Sequence, residues 1–356
     1  MANQTVSTGG TDRSPARGAA ERVLEVDDLR LEFRTSRGAA TVLNGVSFHV
    51  NAGETLCIVG ESGCGKSMTS LAVLGLIPQP PGRITGGTIR LEGEDLLRAT
   101  PARMREIRGN RVAMIFQEPM TSLNPVMTVG RQLVETLRLH LDLSRDAARA
   151  RAIDLLRVVG IPAPESRIDD YPHQMSGGMK QRVMIGMALA CEPRVLIADE
   201  PTTALDVTVQ AQIFDLLRAR QAREGTALVL ITHDMGAVSE MADRVAVMYA
   251  GRVVEEGTTH DVLHQPAHPY TRGLIACLPE LEGEARRTRP PLPEIPGMVP
   301  SIWELGGGCA FRSRCALAQA RCAAEVPALT TVSGTQRAAC WALSDHTTHA
   351  AEEATV

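Results

Sequence analysis

Lysine is almost missing from this chain. Of 37 basic residues only Lys66 and Lys180 are lysines, against 35 arginines. A codon bias toward arginine that spares two lysines marks them as positions where a compact ammonium does what a wide planar fork cannot. An excess of positive charge is missing too: the formal charge is -4 over 356 residues, so composition gives no footprint for nucleic acid. No apolar run approaches the roughly eighteen residues that a membrane helix needs. The leader "MANQTVSTGGTDRSPARGAAER" has no apolar stretch that could act as a signal peptide. The chain is therefore expected in the cytosol. Residues 1–22 and 346–356, polar and rich in small side chains, are expected to be disordered. There is also no internal repeat to suggest a solenoid.

What is present is ordinary globular material, 44% apolar and 22% charged, enough for about two domains with one dominant. Between Val23 and Gly60, β-branched and apolar runs separated by glycine and polar turns read as strands. "VAMIF", "RVLIAD", "ALVLIT" and "RVAVMY" are short, nearly continuous apolar runs, the pattern of parallel strands covered on both faces. "VTVQAQIFDLLRARQAREG" reads as an amphipathic helix with a glycine stop, and Val129 to Gly160 as two or more helices closed by Pro162 and Pro164. The expectation is an α/β domain over 23–264, with a helical part at about 120–190. A boundary near Gln265 opens a proline-punctuated extension over 265–345.

"GESGCGKS", Gly60 to Ser67, follows the strand "TLCIV" and precedes a helix-like segment, the context that a phosphate-binding loop requires. Gly60, Gly63 and Gly65 let successive backbone N–H groups turn toward phosphate oxygens, and the helix adds its positive end. Lys66 would reach the β- and γ-phosphates, and the Ser67 hydroxyl would ligate Mg²⁺. "RVLIADEP" is a buried strand ending in two acids, Asp199 placed to hold the Mg²⁺ and Glu200 to activate the attacking water. His233, closing "LVLITHD", is placed to contact the γ-phosphate.

These residues resemble the ATP-binding cassette ATPases, the P-loop NTPases of ABC transporters. "FQEP" with Gln117, "MSGGMKQR", "TALD" with Asp206 and "THD" with His233 complete six motifs in that family's order, over about residues 23 to 258. The resemblance implies an ABC nucleotide-binding domain with an N-terminal antiparallel β-subdomain, a helical subdomain and a small irregular cysteine-rich C-terminal domain. It implies ATP contacts from Gly60, Glu61, Ser62, Gly63, Cys64, Gly65, Lys66, Ser67 and Met68, catalysis by Glu200, His233 and Gln117, and Mg²⁺ held by Ser67, Gln117 and Asp199. Ser176, Gly177, Gly178 and Met179 would cap the nucleotide of an opposing subunit, with Asp206 in the intersubunit loop. Arg37 stands near the usual adenine-stacking position, with Phe33 close by as a core alternative. Met175 and Met179 depart from the general pattern of leucine and glutamine.

The closer likeness is to ATP-binding subunits of oligopeptide and dipeptide permeases, a group that includes nickel and glutathione importers. It is carried by "MIFQEPMTSLNP", "YPHQMSGGMKQRVMIGMAL", "HPYTRGL" and the terminal cysteines, and extends to about residue 345. It implies a peripheral protein on the cytoplasmic face of the inner membrane. Its partners would be a second, paralogous ATPase subunit, two transmembrane permease subunits and an extracytoplasmic substrate-binding protein, with no nucleic acid. A soluble cassette protein of translation or DNA repair is the alternative. Such proteins usually carry two cassettes or a long coiled-coil insertion, and neither is present.

Cys309, Cys315, Cys322 and Cys340 are separated by five, six and seventeen residues. A cytosolic setting disfavours disulfides. Structural zinc usually takes pairs two to four residues apart, and four thiolates can also hold an iron–sulfur cluster, so spacing leaves zinc and cluster close to level. The permease resemblance implies a structural [4Fe-4S] cluster. Cys57, Cys64, Cys191 and Cys277 lie in a strand, the phosphate loop, a helix end and a linker, and are not expected to be ligands.

Overall fold

A computed structural model describes residues 21–118, 122–202, 205–277 and 294–343. Residues 1–20 of the expected disordered leader, the expected disordered tail and several of the extension's prolines fall outside these residues, whereas Arg22, assigned to the leader from sequence, already belongs to the first strand. Two long strands, β1 (Arg22–Thr35) and β2 (Gly38–Asn51), form a hairpin. With β4 (Gly82–Leu91) and the short β5 (Glu94–Asp95) they make an antiparallel sheet ordered β2-β1-β4-β5. In β1 the residues Leu29 and Leu31 are fully buried while their neighbours are not, the alternation of a sheet with one covered face.

The second sheet carries the expected parallel strands. β3 (Thr55–Val59), β6 (Val112–Ile115), β7 (Val195–Asp199), β8 (Ala227–Ile231) and β9 (Arg244–Tyr249) are buried almost throughout, as their unbroken apolar sequences require. They lie in the order β9-β3-β8-β7-β6, all parallel. β10 (Arg252–Thr258) adds antiparallel to β9. Helices cover both faces. Val207–Glu224 begins on an Asp206 cap and stops at Gly225, left-handed at φ 68°. Val129–His140 and Arg145–Val158, capped by Thr128 and Ser144, fill the expected helical region together with the short turn Pro164–Arg167. The apolar faces of the two longer helices join the main core through Leu133, Leu137, Leu155 and Leu156.

The extension is less separate than its composition suggests. β11 (Thr330–Ser333) and β12 (Gln336–Ala338) form a hairpin whose inner strand pairs with β10, Glu255 opposite Ala338, and so lengthens the main sheet. Glu255, fully buried, accepts hydrogen bonds from the backbone N–H groups of Ala267 and His268 and from Gln336 Nε2, all at 2.8 Å. That satisfied carboxylate latches the turn before the helix Pro269–Ala276 to the extension.

His268 caps the same helix through Nδ1, which accepts from the Tyr270 N–H at 3.0 Å, and it is 1% exposed. Burial, with a smaller push from Arg272, lowers its pKa to about 4. The unfolded chain, with an ordinary histidine, binds the proton more readily between about pH 6.5 and 4, so this part of the stability is complete above pH 6.5 and is lost as pH falls toward 4. The full effect is of order 3 kcal/mol. The His268 ring resonance should keep its neutral shift from pH 7 to pH 5 while the unfolding midpoint in urea falls. A normal titration near pH 6.5 would contradict this.

Candidate functional site

The parallel strands deliver Lys66, Ser67, Gln117, Asp199, Glu200 and His233 to their carboxyl ends, where open α/β sheets bind ligands. From β3 the chain enters the loop 60–65 and then the helix Lys66–Val73. Gly60 sits at φ 152°, and a Cβ there would lie 2.2 Å from the Met248 carbonyl oxygen; at Gly65, φ 106°, it would lie 2.7 Å from Leu43 Cδ2. Close packing against backbone requires glycine at position 60, and the positive φ favours it at both. Lys66, only 8% exposed, runs back along the loop, its Nζ donating to the carbonyls of Gly60 at 2.6 Å and Glu61 at 3.0 Å. The ammonium is held inside a narrow collar of backbone oxygens. Lys180 is buried as well, so burial alone does not distinguish the two lysines.

Ser67 donates a hydrogen bond to Asp199, the last residue of β7. Burial pushes the Asp199 carboxyl up, opposed by Ser67 and by the charge of Lys66, while Glu200 adds repulsion. Two carboxyls so close favour a cation between or beside them. Glu200 follows at φ 48°, a left-handed conformation unusual for a residue with a side chain. That turn lifts its carboxylate off the sheet: Oε2 accepts from Gln117 Nε2 at 3.1 Å, and Oε1 lies 3.1 Å from His233 Nδ1. Gln117 follows β6 and His233 follows β8, so three neighbouring strands supply one hydrogen-bonded trio. The Glu200 side chain is 15% exposed and His233 66%, which opens the trio to solvent on the histidine side.

Ser176 caps the helix Gly177–Ala188 by accepting from the Met179 N–H at 3.3 Å. Ser176 and Gly177 are exposed and Met175 is buried. From the same helix Gln181, 1% exposed, donates to the Pro201 carbonyl at 2.5 Å. This ties the helix Gly177–Ala188 to the strand end that carries Glu200. Gln181 lies inside "MSGGMKQR", where its signal is a polar residue on a helix face that is otherwise apolar. Asp206 is used as a helix cap, accepting from Val209 N–H at 2.9 Å, and remains exposed. Arg37 lies in the exposed β1–β2 turn, whereas Phe33 is half-buried against the antiparallel sheet's core.

The four terminal cysteines converge. Cys309, Cys315, Cys322 and Cys340 line one small cavity with Phe311, Leu317 and Trp341. The Cys309 N–H donates to the Cys322 carbonyl at 2.8 Å, which closes the first three into a compact knot. Burial raises the thiols of Cys309, Cys315 and Cys340, with further upward pushes from the neighbouring sulfurs. Among the described residues, however, no three or more His, Cys, Asp or Glu side chains are arranged as they stand to hold a metal ion.

Comparison with known proteins gives a consistent picture. The ABC transporter family model matches residues 43–203, and the model for the C-terminal region of oligopeptide/dipeptide transporters matches residues 254–322. A probable peptide ABC transporter ATP-binding protein of Sinorhizobium fredii is 51% identical over 90% of this chain and 95% of its own length. The dipeptide transport ATP-binding protein DppD of Escherichia coli is 49% identical over 89% of this chain and 96% of its own. Among solved structures, a dimeric ATP-binding cassette in a post-hydrolysis state bound to ADP and Pi superposes with a TM-score of 0.61 at 26% identity, over 66% of this chain and 98% of that one. The chain belongs to the ABC transporter ATPases, as an ATP-binding and ATP-hydrolysing subunit of the branch that carries the oligopeptide/dipeptide transporter C-terminal region.

Proposed function

We propose that the chain powers the import of short peptides, and that the trio Gln117–Glu200–His233 beside the phosphate loop is its hydrolytic centre. The observation that carries this is the meeting of the three side chains around one carboxylate, next to Lys66, Ser67 and Asp199. Gly60, Glu61, Ser62, Gly63, Cys64, Gly65, Lys66, Ser67 and Met68 cradle the triphosphate, and Ser67, Asp199 and Gln117 hold Mg²⁺. Mg²⁺ held there would supply positive charge to offset the negative charge of the triphosphate. Glu200 takes the proton of the attacking water, Gln117 holds the carboxylate's second oxygen, and His233 closes over the γ-phosphate side. Adenine lies toward the β1–β2 turn, with Arg37 as the candidate for stacking.

A single chain then holds half of each site. Exposed Ser176 and Gly177, at a helix N-terminus, suit the γ-phosphate of a nucleotide bound by another subunit, with Gly178, Met179 and Asp206 beside them. A paralogous ATPase subunit, two permease subunits and an extracytoplasmic binding protein complete the assembly on the cytoplasmic face of the membrane. Among the described residues no helix is long and apolar enough to cross a membrane, so attachment runs through the permeases. Expressed with its permease subunits the chain should sediment with membranes. Recovery in the soluble fraction despite assembled permeases would count against the reading.

Cys309, Cys315, Cys322 and Cys340 are proposed as ligands of a structural [4Fe-4S] cluster. Their support is convergence on one cavity and a donor set of four thiols, Cys322 buried and the other three half-buried, whose mutual repulsion a bound cation would relieve. Protein purified without oxygen should be brown and carry about four iron and four sulfide per chain, the stoichiometry of such a cluster. Zinc without sulfide would overturn the assignment.

A further inference from the structure

Aromatic residues make up 3% of the chain, yet Tyr249, Tyr270 and Phe311 meet at one point, with ring centroids 4.6 to 5.4 Å apart. They come from β9, from the helix Pro269–Ala276 and from the loop between Cys309 and Cys315. All three are buried, and one of them, Tyr270, reaches Glu61, the second residue of the phosphate loop. The Glu61 N–H donates to the Tyr270 hydroxyl at 2.8 Å. From the turn before Cys315, Arg314 reaches the same residue with both arms, Nη1 to Oε2 at 2.6 Å and Nη2 to Oε1 at 3.0 Å.

Arg314 is built into place. Its side chain is 4% exposed, Nε donates to the Pro296 carbonyl at 2.9 Å, and the guanidinium stands 5.9 Å from the ring centres of both Tyr249 and Phe311. A planar fork against a carboxylate is the strongest geometry such a pair can take. The location gives the pair its meaning. A loop whose task is to receive a polyphosphate carries a carboxylate at its second position, and an unneutralised negative charge there repels the ligand. The cation that neutralises it comes from the cysteine-rich extension, 253 residues away in the chain.

We infer that Arg314 and Tyr270 are positioning residues of the nucleotide site, fixing Glu61 and masking its charge, so that nucleotide affinity depends on how the C-terminal extension is docked. The inference rests on the phosphate loop being the ATP site, as proposed above, and extends that site to a part of the chain that holds none of its motifs. Tyr270 fixes one end of the loop through its backbone, and Arg314 fixes the side chain of the same residue. The cysteine knot sets where Arg314 stands, because Cys309 and Cys315 bracket the segment that carries it. Loosening the knot therefore loosens the loop.

The test is a double-mutant cycle on the full-length protein, with a fluorescent ATP analogue and Mg²⁺ as the binding probe. Arg314→Gln should weaken binding by at least about fivefold, within the usual range of coupling between sites in one network. In a Glu61→Gln background the same substitution should cost no more than about threefold, because the charge to be masked is gone. Equal losses in both backgrounds would overturn the inference, as would wild-type affinity in Arg314→Gln. Should Arg314→Gln fail to fold, judged by its melting temperature, Tyr270→Phe removes only the hydroxyl that accepts the Glu61 N–H and should weaken binding about two- to tenfold; unchanged affinity there is the contrary result. In the assembled transporter both effects should fall on KM for ATP more than on kcat. A wild-type chain that binds no nucleotide would remove the underlying site reading, whereas equal affinity of wild type and Arg314→Gln removes this inference alone.

Discussion

Glu200→Gln will bind ATP and then fail to hydrolyse it. The substitution keeps the size of the side chain and one oxygen, so a contact with Gln117 Nε2, now 3.1 Å long, survives. What it loses is the base, and with it the site where the proton of the attacking water goes. Hydrolysis at this site should fall by about 10² to 10⁴, the usual cost of one general acid–base group. Nucleotide affinity should hold, because Lys66, Ser67 and the loop glycines are untouched. The two effects together predict a complex trapped with ATP bound, once the partner's own site is silenced. Near-normal turnover under those conditions would refute the role given to Glu200.

Lys66→Arg keeps the charge and should still destroy the site. The Lys66 Nζ fits between two carbonyl oxygens at 2.6 and 3.0 Å, inside a loop where Gly60 leaves no room for a methyl group. A guanidinium is wider, planar and forked, and cannot occupy a collar shaped for a point charge without opening the loop. ATP binding should drop by about 10² or more, the scale expected when a reacting or binding group is displaced by an ångström. Lys180→Arg should be far milder. Lys180 is also buried, so the contrast measures the role of the phosphate loop and not burial as such. Equal and silent behaviour of the two variants would remove the special standing of Lys66.

Much of the fold was legible because its strands are extreme. Val195–Asp199 and Ala227–Ile231 are buried on both faces, and burial on both faces writes an unbroken apolar run into the sequence. The glycines of the phosphate loop and the acid pair after "VLIA" were legible because chemistry fixes both residue type and spacing. The hairpin β11–β12 was not. It lies at the sheet edge with the outer strand exposed throughout, so it has no apolar period to read. The clasp of Arg314 on Glu61 left no trace either, since 35 arginines offer no reason to single one out and nothing local links positions 61 and 314. Tyr270 did carry a signal, in "HPYTRGL", although its destination beneath the phosphate loop could not be read from that string. Cys315 is the chain neighbour of Arg314, so Cys315→Ser acts one residue from the arginine clasp on the phosphate loop.

On the function proposed, the Gln117–Glu200–His233 trio hydrolyses ATP in order to move peptides. The measurement that tests it most directly is phosphate release by the complete transporter, with its permease subunits, partner ATPase and binding protein reconstituted in lipid vesicles, with and without a short peptide. Release that rises on adding peptide, is matched by peptide entering the vesicles, and vanishes on both counts when Glu200 is replaced by glutamine with the partner's site silenced is the predicted result. Release that ignores peptide, or that persists at the wild-type rate without Glu200, would contradict it.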